Sequence, residues 1–354
     1  MKRLERLRSA LREKGLDGLI VTNPTHVLYL TGFSGGEGLA IVGQNVAQLL
    51  VDFRYVEQAE RESPGWERIK VPQRLRDTLA ETLQKDGFQR VGVEASHLTV
   101  EQWQSWRDFF PNLVWEATTG LVEDLRLVKE EAEISAIRQA AELTDRAFEH
   151  ILGFLRPGVT EREVALELEF FLRKEGASGV SFPLIVAAGP NGSMPHHQPG
   201  TRPLAPGDLV VIDMGCVVDH YCSDFTRTVA LKPVSSQARE IYEVTLQAQQ
   251  VGLAAIRAGV ACRDADAAAR QVINEAGFGE YFGHGLGHGV GLEIHERPRL
   301  GPTGEETLAA NMVVTVEPGI YLPGVAGVRI EDLVRVTPDG IQDFTAATKD
   351  LIEL

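Results

Sequence analysis

A chain of 354 residues, 44% hydrophobic and 24% charged, has the composition of a soluble globular protein with room for about two or three domains. Its net charge of −15 repels phosphate backbones, which argues against nucleic acid as a partner. The charged amphipathic opening has no apolar signal core, no stretch reaches the ~18 apolar residues of a membrane helix, and Cys216, Cys222 and Cys262 form no CxxC pair, so a cytoplasmic protein with reduced, buried thiols and no membrane partner is expected.

Along the first third, helical and strand patterns alternate. Leu4, Leu7 and Leu11 recur at helical spacing, and Gly15 can stop that helix. Gly18–Thr22 reads as a strand closed by Asn23 and Pro24. Further strands are predicted at Leu39–Val42, Ala47–Asp52, Arg90–Val93 and Leu113–Glu116. Helices are predicted between them at Tyr55–Glu62, Arg74–Lys85 and Thr99–Phe110. This is an α/β domain without a glycine-rich phosphate loop. It can gate substrate, mediate oligomerisation or simply solubilise its neighbour. A boundary is expected near 122–129, followed by one long helix over 130–155 with acidic residues in its first turn.

Beyond that helix the chain repeats itself. The segment Arg156–Glu163 is echoed 101 positions later by Arg257–Asp264, and Gly176 by Gly277. The segment Leu204–Gly215 is echoed 104 positions later by Leu308–Gly319. A nearly constant offset across helices and strands implies two related halves about a pseudo-two-fold axis. The echo sets Asp213 opposite Glu317, each at the end of an apolar strand, and each half adds a second carboxylate, Asp224 and Glu331. A hairpin turning between Val218 and Asp219 pairs Asp213 directly with Asp224. One centred on Gly324 pairs Glu317 with Glu331. Four buried carboxylates repel one another unless protonated or neutralised by cations, so their convergence predicts a metal site, and carboxylates can bridge two divalent ions. Five of nine histidines fall in two segments: His196 and His197 follow Pro195, and His284, His288 and His295 lie in a glycine-rich run. The glycines beside His284 and His288 allow close backbone approach. No HExxH helix or GxSxG elbow is present, which disfavours a mononuclear zincin and a serine hydrolase.

With those motifs in view, the runs Val211–Gly215, Ser223–Thr228, Gly287–Glu296, Val316–Tyr321 and Gly327–Asp332 resemble the "pita-bread" metallopeptidases. Within them the chain is similar to the Xaa-Pro dipeptidases (prolidases) and Xaa-Pro aminopeptidases. The resemblance implies residues 1–124 as a creatinase/prolidase-like α/β N-terminal domain. It implies residues 125–354 as an α+β pita-bread catalytic domain with internal pseudo-two-fold symmetry. It also implies Asp213, Asp224, His288, Glu317 and Glu331 as ligands of two divalent ions, with Asp213 and Glu331 bridging. An oxygen-rich set with one imidazole suits Mn²⁺, Co²⁺ or Zn²⁺, Mn²⁺ first. Glu317 would accept the proton of the attacking water. His196 and His295 would bind substrate and stabilise the tetrahedral intermediate. Arg329 could hold a carboxylate bidentately, and Arg299 sits where some prolidases carry a carboxylate-binding arginine. The implied substrates are small peptides with proline second and the implied assembly is a homodimer. An Xaa-Pro dipeptidase is expected. The alternative is an Xaa-Pro aminopeptidase acting on longer peptides. A methionine aminopeptidase, a non-catalytic binding relative and a metal-free creatinase-like enzyme fit less well.

Overall fold

The computed structural model describes residues 2–354, which form two compact units, one reaching to Arg126 and one over Leu127–Leu354. In the first, six strands lie in the order β4-β3-β2-β1-β5-β6: β1 (Gly18–Val21), β2 (Leu39–Gly43), β3 (Ala47–Val51), β4 (Glu67–Lys70), β5 (Arg90–Glu94) and β6 (Val114–Thr118). The β1–β2 and β2–β3 pairs are antiparallel and the β3–β4, β1–β5 and β5–β6 pairs parallel. Five helices accompany them: α1 (Lys2–Glu13), α2 (Pro24–Thr31), α3 (Val56–Glu62), α4 (Leu75–Lys85) and α5 (Val100–Phe109). The expected strands and helices of this unit appear within a few residues of their predicted ends. Two elements went unpredicted. Asn23 and Pro24 close β1 and also open α2, Asn23 capping the Thr25 N–H and Pro24 filling the first turn. Strand β4 is largely exposed at the sheet edge, so it carries no apolar alternation to read. Buried Glu94, at the end of β5, accepts the Thr22 and Asn23 N–H groups and bonds His26.

After the short helix α6 (Glu123–Leu127), the second unit repeats one plan twice. Helices α7 (Glu131–Leu152) and α8 (Glu161–Lys174) precede strands β7 (Gly179–Val180), β8 (Ile185–Ala188), β9 (Leu209–Met214), β10 (Cys216–Val218), β11 (Tyr221–Cys222) and β12 (Phe225–Ala230). Helices α9 (Ser236–Ala255) and α10 (Cys262–Glu275) precede β13 (Gly287–Gly289), β14 (Glu296–Leu300), β15 (Val313–Val316), β16 (Gly319–Leu322), β17 (Ala326–Arg329), β18 (Asp332–Val336) and β19 (Ile341–Asp343). Each helix pair covers one face of its own strands. Phe148, Ile151, Val164 and Leu168 pack on Val210, Ile212 and Phe225. Ile241, Tyr242, Ala265 and Ala269 pack on Val314, Val316 and Val334. Because side chains alternate along a strand, Asp213 and Glu317 face away from those helices, toward the other half. A backbone bridge between Thr226 and Glu331 joins the two sheets there.

Candidate active site and metal centre

The second pair of carboxylates lies in the register expected. Val316 is opposite Asp332 and Gly319 opposite Arg329, so Glu317 and Glu331 fall opposite each other where the β15–β18 ladder gives way to β16–β17. The first pair differs from expectation. Asp213 faces Thr226 rather than Asp224, because the hairpin turns at Asp219 and His220, both with positive φ (47° and 72°). That places the turn one residue further on than a midpoint between Val218 and Asp219. Two left-handed residues are what a two-residue hairpin turn uses. Asp224 still reaches the site, as the diagonal neighbour of Asp213, at the break between β11 and β12. Phe225 N–H donates to its Oδ1 over 3.1 Å.

His288 lies in the middle of β13 between two glycines, each tightly overlaid. A Cβ at Gly287 would meet the Thr315 carbonyl oxygen at 2.1 Å, and one at Gly289 the Arg297 carbonyl oxygen at 2.2 Å. The His288 Nδ1 bonds the Gly289 carbonyl over 3.1 Å, which makes it the protonated nitrogen. The free Nε2 then lies 3.5 Å from Asp224 Oδ2 and 3.3 Å from Glu317 Oε1. Donor atoms of Asp224, His288 and Glu331 all fall within 4.8 Å of one another. Thr226 Oγ1 donates to Glu331 over 2.7 Å and Thr315 Oγ1 to Glu317 over 3.2 Å. These two threonines orient the ligand set. Neither was predicted, since a threonine in a strand carries no signal until the carboxylate its hydroxyl meets is known.

The electrostatics fit divalent cations. Burial raises the pKa of Asp224 well above the carboxylate range, with Asp213 and Glu317 adding repulsion. Glu331 is raised well above it by burial, then by Asp224 and Glu317. Burial carries Glu317 to about 7 despite Arg329. Asp213 is raised by burial against the pull of Arg329. Its Oδ1 is buried with no hydrogen-bond partner among the described residues. His288 is lowered to about 4, by burial and then by His295, and so stays a neutral donor. Oxygen-rich, mutually repelling, with an orphaned carboxylate oxygen and one neutral imidazole, this set suits divalent ions.

The same cavity, about 1010 Å³, is lined by His196, His295, Arg299 and Arg329 together with the five candidate ligands. The rings of His288 and His295 stand edge to face at 4.4 Å. The pKa of His295 is lowered by burial, then by His196 and Arg299. Arg299 lies opposite His288 across the β13–β14 ladder and is exposed to the cavity. Arg329 departs from expectation. It is 4% exposed, and its Nε, Nη1 and Nη2 donate to Thr226 Oγ1, the Tyr321 hydroxyl and Asp213 Oδ2, the last over 2.5 Å. With those donors engaged inside the protein, it is not the open bidentate clamp the sequence suggested. His284 bonds the Tyr321 hydroxyl over 2.9 Å and so extends that network.

Residues 135–338 match the profile of metallopeptidase family M24, and residues 3–128 that of the creatinase/prolidase N-terminal domain. An Xaa-Pro dipeptidase of Pyrococcus furiosus is 36% identical over 99% of both chains. Among solved structures, an Xaa-Pro dipeptidase of Bacillus anthracis superposes with a TM-score of 0.97 at 44% identity, over 100% of this chain and 99% of its own. An X-Pro aminopeptidase of Thermotoga maritima superposes at 0.92 with 34% identity, over 99% of each chain. The pita-bread assignment and the α/β domain ahead of it accord with these likenesses.

Proposed function

The chain belongs to metallopeptidase family M24, and from that premise we propose that it is an Xaa-Pro dipeptidase, hydrolysing the bond before proline at a peptide's N-terminus with two divalent ions. The observation that carries the reading is one cavity holding three buried carboxylates, the half-buried Glu317 and a neutral imidazole, with His196, His295 and Arg299 beside them. Asp213, Asp224, His288, Glu317 and Glu331 would hold the ions. Bound there, such ions lower the pKa of water toward neutrality and polarise the scissile carbonyl.

The chain's own residues supply the rest. Glu317 accepts the proton of the attacking water at a carboxylate oxygen and returns it to the departing proline nitrogen. That nitrogen is a tertiary amide with no hydrogen, so it must gain a proton to leave as an amine. His196 and His295 offer ring N–H groups to the oxygen that becomes negative. Arg299, exposed on β14, meets the proline carboxylate of a dipeptide. Arg329 orients Asp213. Mn²⁺ is the proposed ion, the homodimer the proposed assembly and the cytoplasm the proposed location. Three free, buried cysteines accord with a reducing compartment, and no described helix is long and apolar enough to cross a membrane.

The test compares Ala-Pro with Ala-Pro-Ala at saturating Mn²⁺, with Co²⁺ and Zn²⁺ alongside. Faster turnover of the dipeptide supports the reading. The likeness to the Thermotoga X-Pro aminopeptidase favours the second reading, release of the residue before proline from longer peptides. Preference for Ala-Pro-Ala would establish that one instead.

A further inference from the structure

His196 is delivered by irregular backbone. After β8 the chain makes one tight turn at Gly189–Ser193 and runs without regular partners past Gly200. Such backbone must find hydrogen-bond partners outside its own ladder. Four donors of this segment converge on one carboxylate, that of Glu161 in the first turn of α8, which has 0% exposure. Glu161 Oε1 accepts the Ala188 N–H at 2.9 Å and the Asn191 amide at 2.8 Å. Its Oε2 accepts His197 Nε2 at 2.9 Å and the Gly200 N–H at 3.1 Å. Burial alone would raise its pKa, but the donors outweigh burial and hold the carboxylate below its ordinary value. The acceptor is thus an anion, and His197 Nε2 must be its donor. Both ends of the loop are fixed by one charge. His197, half-buried on the cavity wall, has its Nε2 tied to Glu161, while its neighbour His196 is exposed to the cavity with its ring not so held.

We propose that Glu161 is the positioning residue for His196: a buried anion that clamps the 188–200 loop at both ends and engages the His197 ring nitrogen, so that the His196 ring is the one left to meet the reacting oxygen. The inference rests on the reading of His196 as a group that touches substrate. The competing account is that Glu161 only holds the fold together, its charge also suiting a helix N-terminus. The two differ in how the loss depends on His196.

The test is a double-mutant cycle on the Mn²⁺-loaded enzyme with Ala-Pro as substrate. Glu161→Gln keeps the size but loses the charge, and turns an N–H group toward donors. It is expected to lower kcat roughly 10–100-fold, the scale of a small misplacement of a reacting group, with bound metal unchanged and KM moving far less. In a His196→Ala background the same change is expected to cost less than about twofold, since the group it positions is gone. An equal loss in both backgrounds, or a loss that follows bound metal, overturns the clamp. Should Glu161→Gln show no cooperative thermal transition, Asn191→Leu removes one of the four donors and leaves the anion. Its smaller loss must also vanish in the His196→Ala background, and additivity overturns the clamp equally. A His196→Ala enzyme with wild-type turnover would overturn the role given to His196 and the inference with it. Additivity would overturn the clamp alone.

Discussion

At the scale of single residues, the site separates groups by what each loses on substitution. Glu317→Gln removes an anionic ligand and the proton acceptor together while keeping shape. The expected loss in kcat is about 10³-fold or more, checked by steady-state kinetics beside metal analysis. Near-normal turnover with metal retained would remove the assigned role. Arg299 answers a different question. A dipeptide presents its carboxylate one residue past the scissile bond, whereas a longer peptide presents a neutral amide there. Arg299→Ala is therefore expected to raise KM for Ala-Pro roughly tenfold or more and to change cleavage of Ala-Pro-Ala little. Equal effects on both substrates would exclude the clamp. The four acidic candidate ligands were legible in the sequence because acidic residues at the ends of apolar strands are rare enough to stand out, and His288 because it lies in a glycine-rich run with two more histidines. Glu161, Thr226, Thr315 and Tyr321 were not. Each acts through a partner from 2 to 105 positions away, and no local pattern marks them.

At the scale of elements, β13 is the tightest part of the site. Its two glycines are places where neighbouring carbonyls occupy the volume of a side chain. Gly287→Ala is expected to force β13 away from Thr315, costing about 1–3 kcal/mol. A fall in melting temperature of several degrees should accompany weaker metal retention, because His288 N–H is bonded to Thr315 Oγ1 over 3.0 Å. Calorimetry and metal analysis of the variant check both, and unchanged values of either would contradict this account of the strand. The close approach was anticipated from the glycine pattern, but the neighbour on the far side could not be. The hairpin before Asp224 illustrates the limit of arithmetic on sequence. A midpoint finds the turn to within a residue, but the backbone angles available to Asp219 and His220 choose the register. By contrast, Gly324 does sit at the centre of the β16–β17 hairpin, with positive φ as a tight turn requires.

At the scale of the whole molecule, the buried carboxylates make stability depend on pH and metal together. Folded pKa values above the unfolded ones mean that the folded chain keeps protons the unfolded chain releases. That contribution is complete below 4.5, the ordinary value for Glu317, and is lost as the pH rises through about 7. Below pH 6.5 the lowered pKa of His288 opposes this loss, so metal-free protein is expected to melt at falling temperatures between about pH 6.5 and pH 8, and saturating Mn²⁺ to remove or reverse the trend. Calorimetry of chelator-treated and reloaded protein checks this, and a flat profile without metal would contradict it. The pseudo-two-fold plan was readable from the repeat, but what lies at its axis also records how far the halves have parted. Ile185 pairs with Asp213, and the Glu317 N–H bonds the Leu286 carbonyl, so Ile185 and Leu286 hold equivalent places. Two residues on, the first half has Ala187 and the second has His288. An ancestor made of two identical copies would have set two imidazoles at the axis or none. The present chain has one, so its halves can no longer stand in for each other, and a dimer of either half alone would not rebuild the site. Specialisation after duplication has made the molecule's symmetry a matter of descent and its chemistry a matter of the departures from it.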